Sequence, residues 1–267
     1  MLGAIVGDMV GSPYEFAHTA IKTTDFELFT DRSQFTDDTV MTVAVAEALL
    51  SDPPGGEAAD AALIAAMRGW AADYPDAGYG AGFRHWLQAP NPEPYGSYGN
   101  GSAMRVSAAG WLYPTLEQTE RWATITAAVT HNHPEGIKGA AATAAAIFLA
   151  RTGASNQQIK DYVTGRFGYD LSLTLDQIRP AYHRVDSCQE TVPQAITAFL
   201  EAHDFEGTVR LAVSLGGDAD TLAAIAGSIA QGRYRVPEPI RQQATARLTP
   251  AIMGVLDAFE RRVGLTS

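Results

Sequence analysis

Alanine-rich runs with apolar residues at helical spacing dominate this chain of 267 residues and restrict most strongly the fold that it can form. Alanine is the strongest intrinsic helix former, and small side chains let neighbouring helices approach closely. Strand-like alternation is scarce, and only residues 21–35 and 169–175 could hold short extended stretches. The sequence therefore predicts an all-α fold, a single compact bundle of helices. The runs that carry the helical pattern are residues 40–50, 61–70, 122–129 and 139–149.

Composition and punctuation favour one domain over residues 1–267, because no linker, repeat or long low-complexity tract divides the chain. A content of 46% hydrophobic and 18% charged residues is enough for a large buried core. No apolar run approaches the ~20 residues that span a bilayer, so we expect no membrane partner. The first apolar stretch meets Asp8 with no basic region before it, unlike a secretory signal, and cytoplasmic residence follows as the default.

Charge and cysteine content exclude several classes of function. A formal net charge of −11 argues against nonspecific nucleic-acid binding, because such binding needs lysine and arginine to neutralise phosphates. The single cysteine, Cys188, excludes an intrachain disulfide framework and fits a reducing compartment. As a nucleophile it would need an electropositive setting, which the neighbouring sequence does not indicate.

Two acidic clusters stand where irregular segments pass into alanine-rich helical runs. They are residues 36–39, Thr-Asp-Asp-Thr, and residues 218–221, Asp-Ala-Asp-Thr, the second preceded by two glycines. Each alone could simply cap a helix, because Thr and Asp side chains accept hydrogen bonds from free N–H groups of the first turn. If both meet, carboxylates about 4 Å apart repel by roughly 4 kcal/mol at an effective dielectric of ~20, so the site needs cations. Oxygen donors without thiolate or imidazole suit Mg²⁺ or Mn²⁺ better than zinc.

Other segments offer weaker signals. Glu15 lies between two aromatic residues and is a candidate acid, base or metal-contacting carboxylate, or else a surface glutamate; Asp8 is either part of the site or a buried structural partner. The glycine loop at residues 99–102 could present backbone N–H groups to a phosphate, although such loops usually only turn. Arg105 after it could pair with a phosphate or an internal carboxylate. His131 and His133 lack a third histidine or cysteine partner, so ligand contact, stacking or capping suits them better than zinc.

Taken in order, these segments resemble the ADP-ribosylglycohydrolase family, which includes dinitrogenase reductase-activating glycohydrolase and the ADP-ribosylhydrolases. The resemblance covers most of the chain and is weakest over residues 151–211. It rests on residues 7–11 with 15–16, 36–39, 99–105, 130–131 and 216–221.

The resemblance implies an orthogonal helical bundle that holds two Mg²⁺ or Mn²⁺ ions in a dinuclear metal cleft. The implied metal ligands are Thr36, Asp37, Asp38, Asp218, Asp220 and Thr221. The implied substrate-binding residues are Gly99, Asn100, Gly101 and Ser102 at the diphosphate of ADP-ribose, and His131 along the nucleotide. Asp37 and Glu15 are the candidate catalytic residues for handling the proton, and the sequence does not choose between them.

The resemblance further implies a metal-dependent hydrolase that cleaves the glycosidic bond between ADP-ribose and an acceptor. Its substrate would be an ADP-ribosylated protein, nucleic acid or small molecule. Two alternatives stay open: a catalytically silent ADP-ribose-binding or crystallin-like structural protein, and a dinuclear-metal phosphoesterase. Intact acidic clusters favour the enzyme over the silent protein, whereas oxygen-only metal sites also serve phosphoryl chemistry.

Overall fold

Fifteen α-helices and no β-strand are found in residues 1–265, the part of the chain that the computed structural model describes. An isolated antiparallel bridge joins Gly99 to Ser187. The predicted all-α class is therefore confirmed, and the stretches considered for extended structure, residues 21–35 and 169–175, contain no strand. The single domain predicted for residues 1–267 stays a prediction, and its last two residues lie outside the described part.

The helices, in chain order, are α1 (Leu2–Gly11), α2 (Asp37–Leu50), α3 (Glu57–Asp73), α4 (Ala81–Gln88), α5 (Gly101–Met104), α6 (Ser107–Leu112), α7 (Leu116–Ala128), α8 (Pro134–Arg151), α9 (Asn156–Phe167), α10 (Leu175–Ile178), α11 (Cys188–Glu201), α12 (Phe205–Val213), α13 (Ala219–Arg233), α14 (Glu238–Thr245) and α15 (Pro250–Val263). A short 3₁₀ turn, Ser12–Tyr14, follows α1. The four alanine-rich runs predicted as helical fall in α2, α3, α7 and α8, with only the last residue of the third run beyond its helix.

Side-chain caps and a proline explain several helix boundaries. The Thr36 hydroxyl accepts a hydrogen bond from the Asp38 N–H at 3.3 Å and caps α2. His133 Nδ1 accepts from the Glu135 N–H at 3.1 Å and caps α8. Pro250 occupies the first position of α15, where a missing N–H breaks no helical hydrogen bond. The Thr36 and His133 side chains satisfy donors that a helix start would otherwise leave free, and Pro250 removes one such donor.

Close packing of α1 against α13 joins the first helix to a helix more than 200 positions later in the sequence. Gly3, Gly7 and Gly11 face α13, and a Cβ added at Gly7 would lie 2.0 Å from the carbonyl oxygen of Ala223. Every residue of α1 is buried. Glycine is required at this face because no other residue lets the two backbones approach so closely. The contact places the start of α13 beside the segment that follows α1.

The buried apolar side chains form a cluster with members from α1 to α15. Among the described residues, no helix combines the length and apolar character needed to cross a membrane. The cytoplasmic location stays a prediction.

Candidate metal centre and cleft

The two acidic clusters meet at the starts of α2 and α13. The Thr221 hydroxyl donates to Asp38 Oδ2 at 3.2 Å, across 183 positions of sequence. Asp37 and Asp38 lie in the first turn of α2, while Asp218 is the N-cap of α13 and Asp220 lies in its first turn. The expected convergence of the two clusters is therefore present in the fold.

Asp8 from α1 fixes the start of α2. Its carboxylate accepts from the Thr36 N–H and hydroxyl, both at 2.8 Å, and from the Thr39 N–H at 3.0 Å and hydroxyl at 2.5 Å. Asp8 is thus the buried structural partner, one of the two interpretations open from the sequence. The Thr36 hydroxyl, implied to be a metal ligand, donates to Asp8 while it caps α2. Its implied role as a metal ligand stays a prediction.

Glu15 joins the second acidic cluster. Glu15, Asp218 and Asp220 each offer a carboxylate oxygen, and these oxygens lie within 4.8 Å of one another. Asp37, Asp38 and Thr221 line the same cleft as this group. The arrangement gives Glu15, considered from sequence mainly for proton transfer, a place among the candidate metal ligands.

The electrostatics of these carboxylates fit a bound cation. Burial raises the pKa of Asp38 and of Asp220 well above the usual range, and repulsion from neighbouring aspartates adds to the effect. Burial, followed by repulsion from Asp8, raises the pKa of Asp37 to about 7. Burial also raises the pKa of Asp218 to about 6, against a lowering effect from Asn100. A divalent cation would offset this crowding of buried negative charge.

An unsatisfied oxygen also fits a cation. Asp38 Oδ1 is buried and has no hydrogen-bond partner among the described residues. Such groups are rare in native proteins and call for an ion, a water or a functional role. The donors around it are carboxylate and hydroxyl oxygens, the ligands that Mg²⁺ and Mn²⁺ prefer. The residues present therefore fit the metal that the sequence implies.

The carboxylates open onto a cleft of about 440 Å³ whose wall includes Gly99, Asn100 and Gly101. Ser102, predicted to bind substrate with them, does not reach the cleft with its side chain. It is fully buried, and its hydroxyl donates to the Gly136 carbonyl at 2.7 Å. The reason is geometric, because Ser102 lies inside the short helix α5 and its side chain projects into the core.

Asn100 connects the glycine loop to the metal cluster. Its side-chain amide donates to Asp218 Oδ2 at 2.7 Å and to the Thr191 hydroxyl at 3.2 Å. Its backbone N–H donates to the Asp186 carbonyl at 2.7 Å. The loop that would hold the diphosphate is therefore bonded directly to a candidate metal ligand.

His131 and Arg105 lie beneath the glycine loop. His131 is buried, and burial together with the positive charge of Arg105 lowers its pKa well below the usual value, so the ring is neutral at pH 7. A Cβ at Gly101 would lie 3.2 Å from His131 Nε2. Arg105 Nη2 donates to the Thr130 hydroxyl at 2.6 Å and to the Thr126 carbonyl at 3.2 Å. Among the described residues its guanidinium has no carboxylate partner within salt-bridge distance, and it lines the cleft.

Sequence reasoning missed Arg184. Its Nη2 lies 2.7 Å from Glu15 Oε1 and 3.4 Å from Asp218 Oδ1. It sits in the irregular segment before α11, inside the region where the resemblance is weakest, and no local pattern marks it. Tyr95, also on the cleft wall, was missed as well.

Cys188 does not have the properties of a nucleophile. The thiol is fully buried and donates to the Gly99 carbonyl at 3.1 Å. Burial raises its pKa to about 12, so little thiolate exists at neutral pH. Its position instead supports the glycine loop from below.

Fold and cleft together define a helical protein with a buried cluster of oxygen ligands beside a glycine loop. The sequence profile of the ADP-ribosylglycohydrolase family matches residues 1–262. This chain therefore belongs to the ADP-ribosylglycohydrolase family, as the sequence motifs predict.

Known proteins resemble the chain over most of its length. It is 30% identical to ADP-ribosylhydrolase ARH3 of Mus musculus, over 91% of this chain and 85% of that protein. It is 27% identical to ADP-ribosylarginine hydrolase Tri1 of Pseudomonas putida, over 88% of this chain and 70% of that protein. A solved structure described as an ADP-ribosylglycohydrolase-related protein complex superposes with a TM-score of 0.71, at 24% identity, over 98% of this chain and 95% of that one. That structural similarity supports the shared all-α fold.

Proposed function

We propose that this protein hydrolyses the glycosidic bond between ADP-ribose and an acceptor, and that it releases ADP-ribose with the help of divalent cations. The observation that carries the proposal is the meeting of two acidic helix starts and a glycine loop on one cleft, in a chain of this family. The substrate is an ADP-ribosylated protein, nucleic acid or small molecule.

Bound at this cluster, two Mg²⁺ or Mn²⁺ ions would lower the pKa of a water molecule and stabilise negative charge on oxygen. The residues that would hold them are Thr36, Asp37, Asp38, Asp218, Asp220 and Thr221, with Glu15 beside the second cluster. Residues 99–102 would bind the diphosphate, and the neutral ring of His131 would contact the nucleotide part of the substrate.

The chemistry is an oxocarbenium-like substitution at C1 of the ribose that carries the acceptor. The bond from C1 to the acceptor breaks, a water oxygen bonds to C1, and one water proton passes to a carboxylate while the acceptor takes up a proton. Asp37 is one candidate for taking up the proton, since it lies in the first turn of α2 and lines the cleft. Glu15 is the other candidate, since it stands beside Asp218 and Asp220.

The proposal is tested by measuring ADP-ribose release from substrates with different acceptors, in Mg²⁺, in Mn²⁺ and in chelator. We expect Asp37→Ala, Asp218→Ala and Asp220→Ala each to abolish release while the helical circular dichroism signal stays unchanged. Asp161→Ala, an exposed aspartate on α9, is the matched control and should keep full activity. Undiminished turnover in all three cleft variants would refute the site.

Product identity separates this reaction from the alternatives. Mass spectrometry should show intact ADP-ribose, whereas a dinuclear phosphoesterase would give AMP and ribose phosphate. Calorimetric binding of ADP-ribose without hydrolysis of any substrate in the panel would instead indicate a silent binding protein.

The two proton-transfer candidates are separated by their pH profiles. Asp37→Asn should remove one limb of the pH dependence of kcat if Asp37 handles the proton, and Glu15→Gln should do so if Glu15 does.

A further inference from the structure

Arg184 places a positive charge against the candidate metal ligands. Its Nη2 lies 2.7 Å from Glu15 Oε1 and 3.4 Å from Asp218 Oδ1, and its Nη1 donates to the Glu15 carbonyl at 3.5 Å. The guanidinium carbon also lies 5.2 Å from the centre of the Phe16 ring. One arginine therefore holds the segment after α1 against the start of α13.

The carboxylates that Arg184 contacts belong to the group suited to a divalent ion. Glu15 and Asp218 lie with Asp220 in the three-carboxylate cluster. The second oxygen of Asp218 already accepts from Asn100 at 2.7 Å, so both of its oxygens have partners. A divalent ion that binds Asp218 and Glu15 competes with Arg184 for their oxygens, and repulsion between the ion and a guanidinium a few ångströms away favours displacement of the side chain.

The side chain of Arg184 is partly exposed to solvent, while the backbone on either side of it is held by hydrogen bonds. The side chain is 40% exposed. Two residues before Arg184, the Tyr182 carbonyl accepts a hydrogen bond from Lys22 Nζ at 2.5 Å. Two residues after it, the Asp186 carbonyl accepts a hydrogen bond from the Asn100 N–H at 2.7 Å. The guanidinium can thus swing towards solvent without a rearrangement of the segment that carries it.

We propose that Arg184 is a built-in competitor of the divalent cation. Its single positive charge offsets part of the negative charge of Glu15 and Asp218 before an ion binds, and the side chain withdraws from them when the ion binds. Arg184 acts through the candidate metal ligands and is therefore a positioning residue. The inference rests on the proposed metal site. Since ion binding must displace the guanidinium, the apparent affinity for the metal is reduced by the cost of that displacement.

The test is isothermal titration of the whole protein with Mn²⁺, independent of any substrate. Arg184→Gln should lower the dissociation constant by about tenfold, equivalent to about 1.4 kcal/mol. Arg184→Lys, which keeps a charge but loses the planar fork, should fall between Gln and the wild type. The control is Arg166→Gln, which removes the same charge from an exposed ion pair with Glu120 and should leave the constant unchanged.

The sign of the effect distinguishes competition from a structural role. If Arg184 only supported the fold, its removal would loosen the cluster and weaken Mn²⁺ binding. Unchanged or weaker binding in Arg184→Gln would therefore overturn the inference, and so would a variant that only raised the KM for the substrate. In both cases metal-dependent ADP-ribose release by the wild type would still support the proposed function. Failure of every variant and of the wild type to bind Mn²⁺ would refute both.

Discussion

Replacing Gly7 with alanine tests the contact that brings the two acidic clusters together. The added Cβ would lie 2.0 Å from the Ala223 carbonyl oxygen and 2.5 Å from the Ala224 nitrogen, whereas ordinary contacts begin at 3.4 Å. All of the obstructing atoms are backbone, so no side-chain rotation relieves the clash. The two helices would have to separate by more than about 1 Å, in a region where close packing resists such shifts.

The magnitude follows from two opposing effects. Overpacking of a well-packed core costs typically about 1–3 kcal/mol, and here the obstruction is rigid backbone, which places the cost at the upper end. Glycine to alanine in a helix gains roughly 1 kcal/mol from helix propensity. We therefore expect Gly7→Ala to reduce the free energy of unfolding by about 2 kcal/mol.

The assay is urea unfolding followed by circular dichroism, with Mn²⁺ titration as a second measurement. Gly69→Ala in α3 is the matched control, because a Cβ there meets nothing within 4 Å. It should raise stability by roughly 0.5–1 kcal/mol, the bare propensity effect. Gly7→Ala should also weaken Mn²⁺ binding, since α13 carries two of the candidate ligands. A Gly7→Ala protein as stable as Gly69→Ala would refute the reasoning.

Two further predictions concern the acidic residues around the cleft. Asp8→Asn should lower the free energy of unfolding by about 1–3 kcal/mol, because one of the oxygens that accept from Thr36 and Thr39 becomes a donor; an unchanged urea midpoint would contradict this. In chelator, the free energy of unfolding should fall as pH rises from about 4 to 7. Burial raises the pKa of Asp37 to about 7 and the pKa of Asp8 and Asp218 to about 6. In that pH window the folded state therefore binds more protons than the unfolded state, and raising the pH removes this stabilisation. Melting temperatures in EDTA at pH 5 and pH 8 check the sign, and Mn²⁺ should stabilise the protein more at pH 8, since its ligands must be deprotonated; a melting temperature in EDTA that rises with pH would show the sign to be wrong.

Local sequence patterns were enough to predict where the acidic clusters stand on the helices. Alanine-rich runs and capping residues act within a few positions, so the start of α2 at Asp37 follows from the sequence. The motifs of the family supplied the expectation that the two clusters meet. The glycine spacing at Gly3, Gly7 and Gly11 was present in the sequence, but its partner, α13, lies more than 200 positions away.

The details of the site depend on tertiary contacts that local patterns do not encode. Ser102 was grouped with the glycine loop, yet one turn of helix α5 directs its hydroxyl to Gly136 instead. Thr36 carried both a capping and a ligand interpretation; the capping is present, and the hydrogen bond of its hydroxyl to Asp8 could not be read from the local sequence. Arg184 lies in an irregular segment, and only the folded chain shows that it faces Glu15.

The hydrogen bond from the Thr221 hydroxyl to Asp38 joins residues 183 positions apart, so the candidate metal centre can form only late in synthesis and folding of the chain. While the polypeptide is being synthesised, the first acidic helix start emerges long before the second, so no complete set of ligands exists to capture an ion. Contacts of such wide sequence separation form late, after much chain entropy has been lost. An ion that binds only the folded state stabilises that state, so we expect ion binding to be the last step of folding.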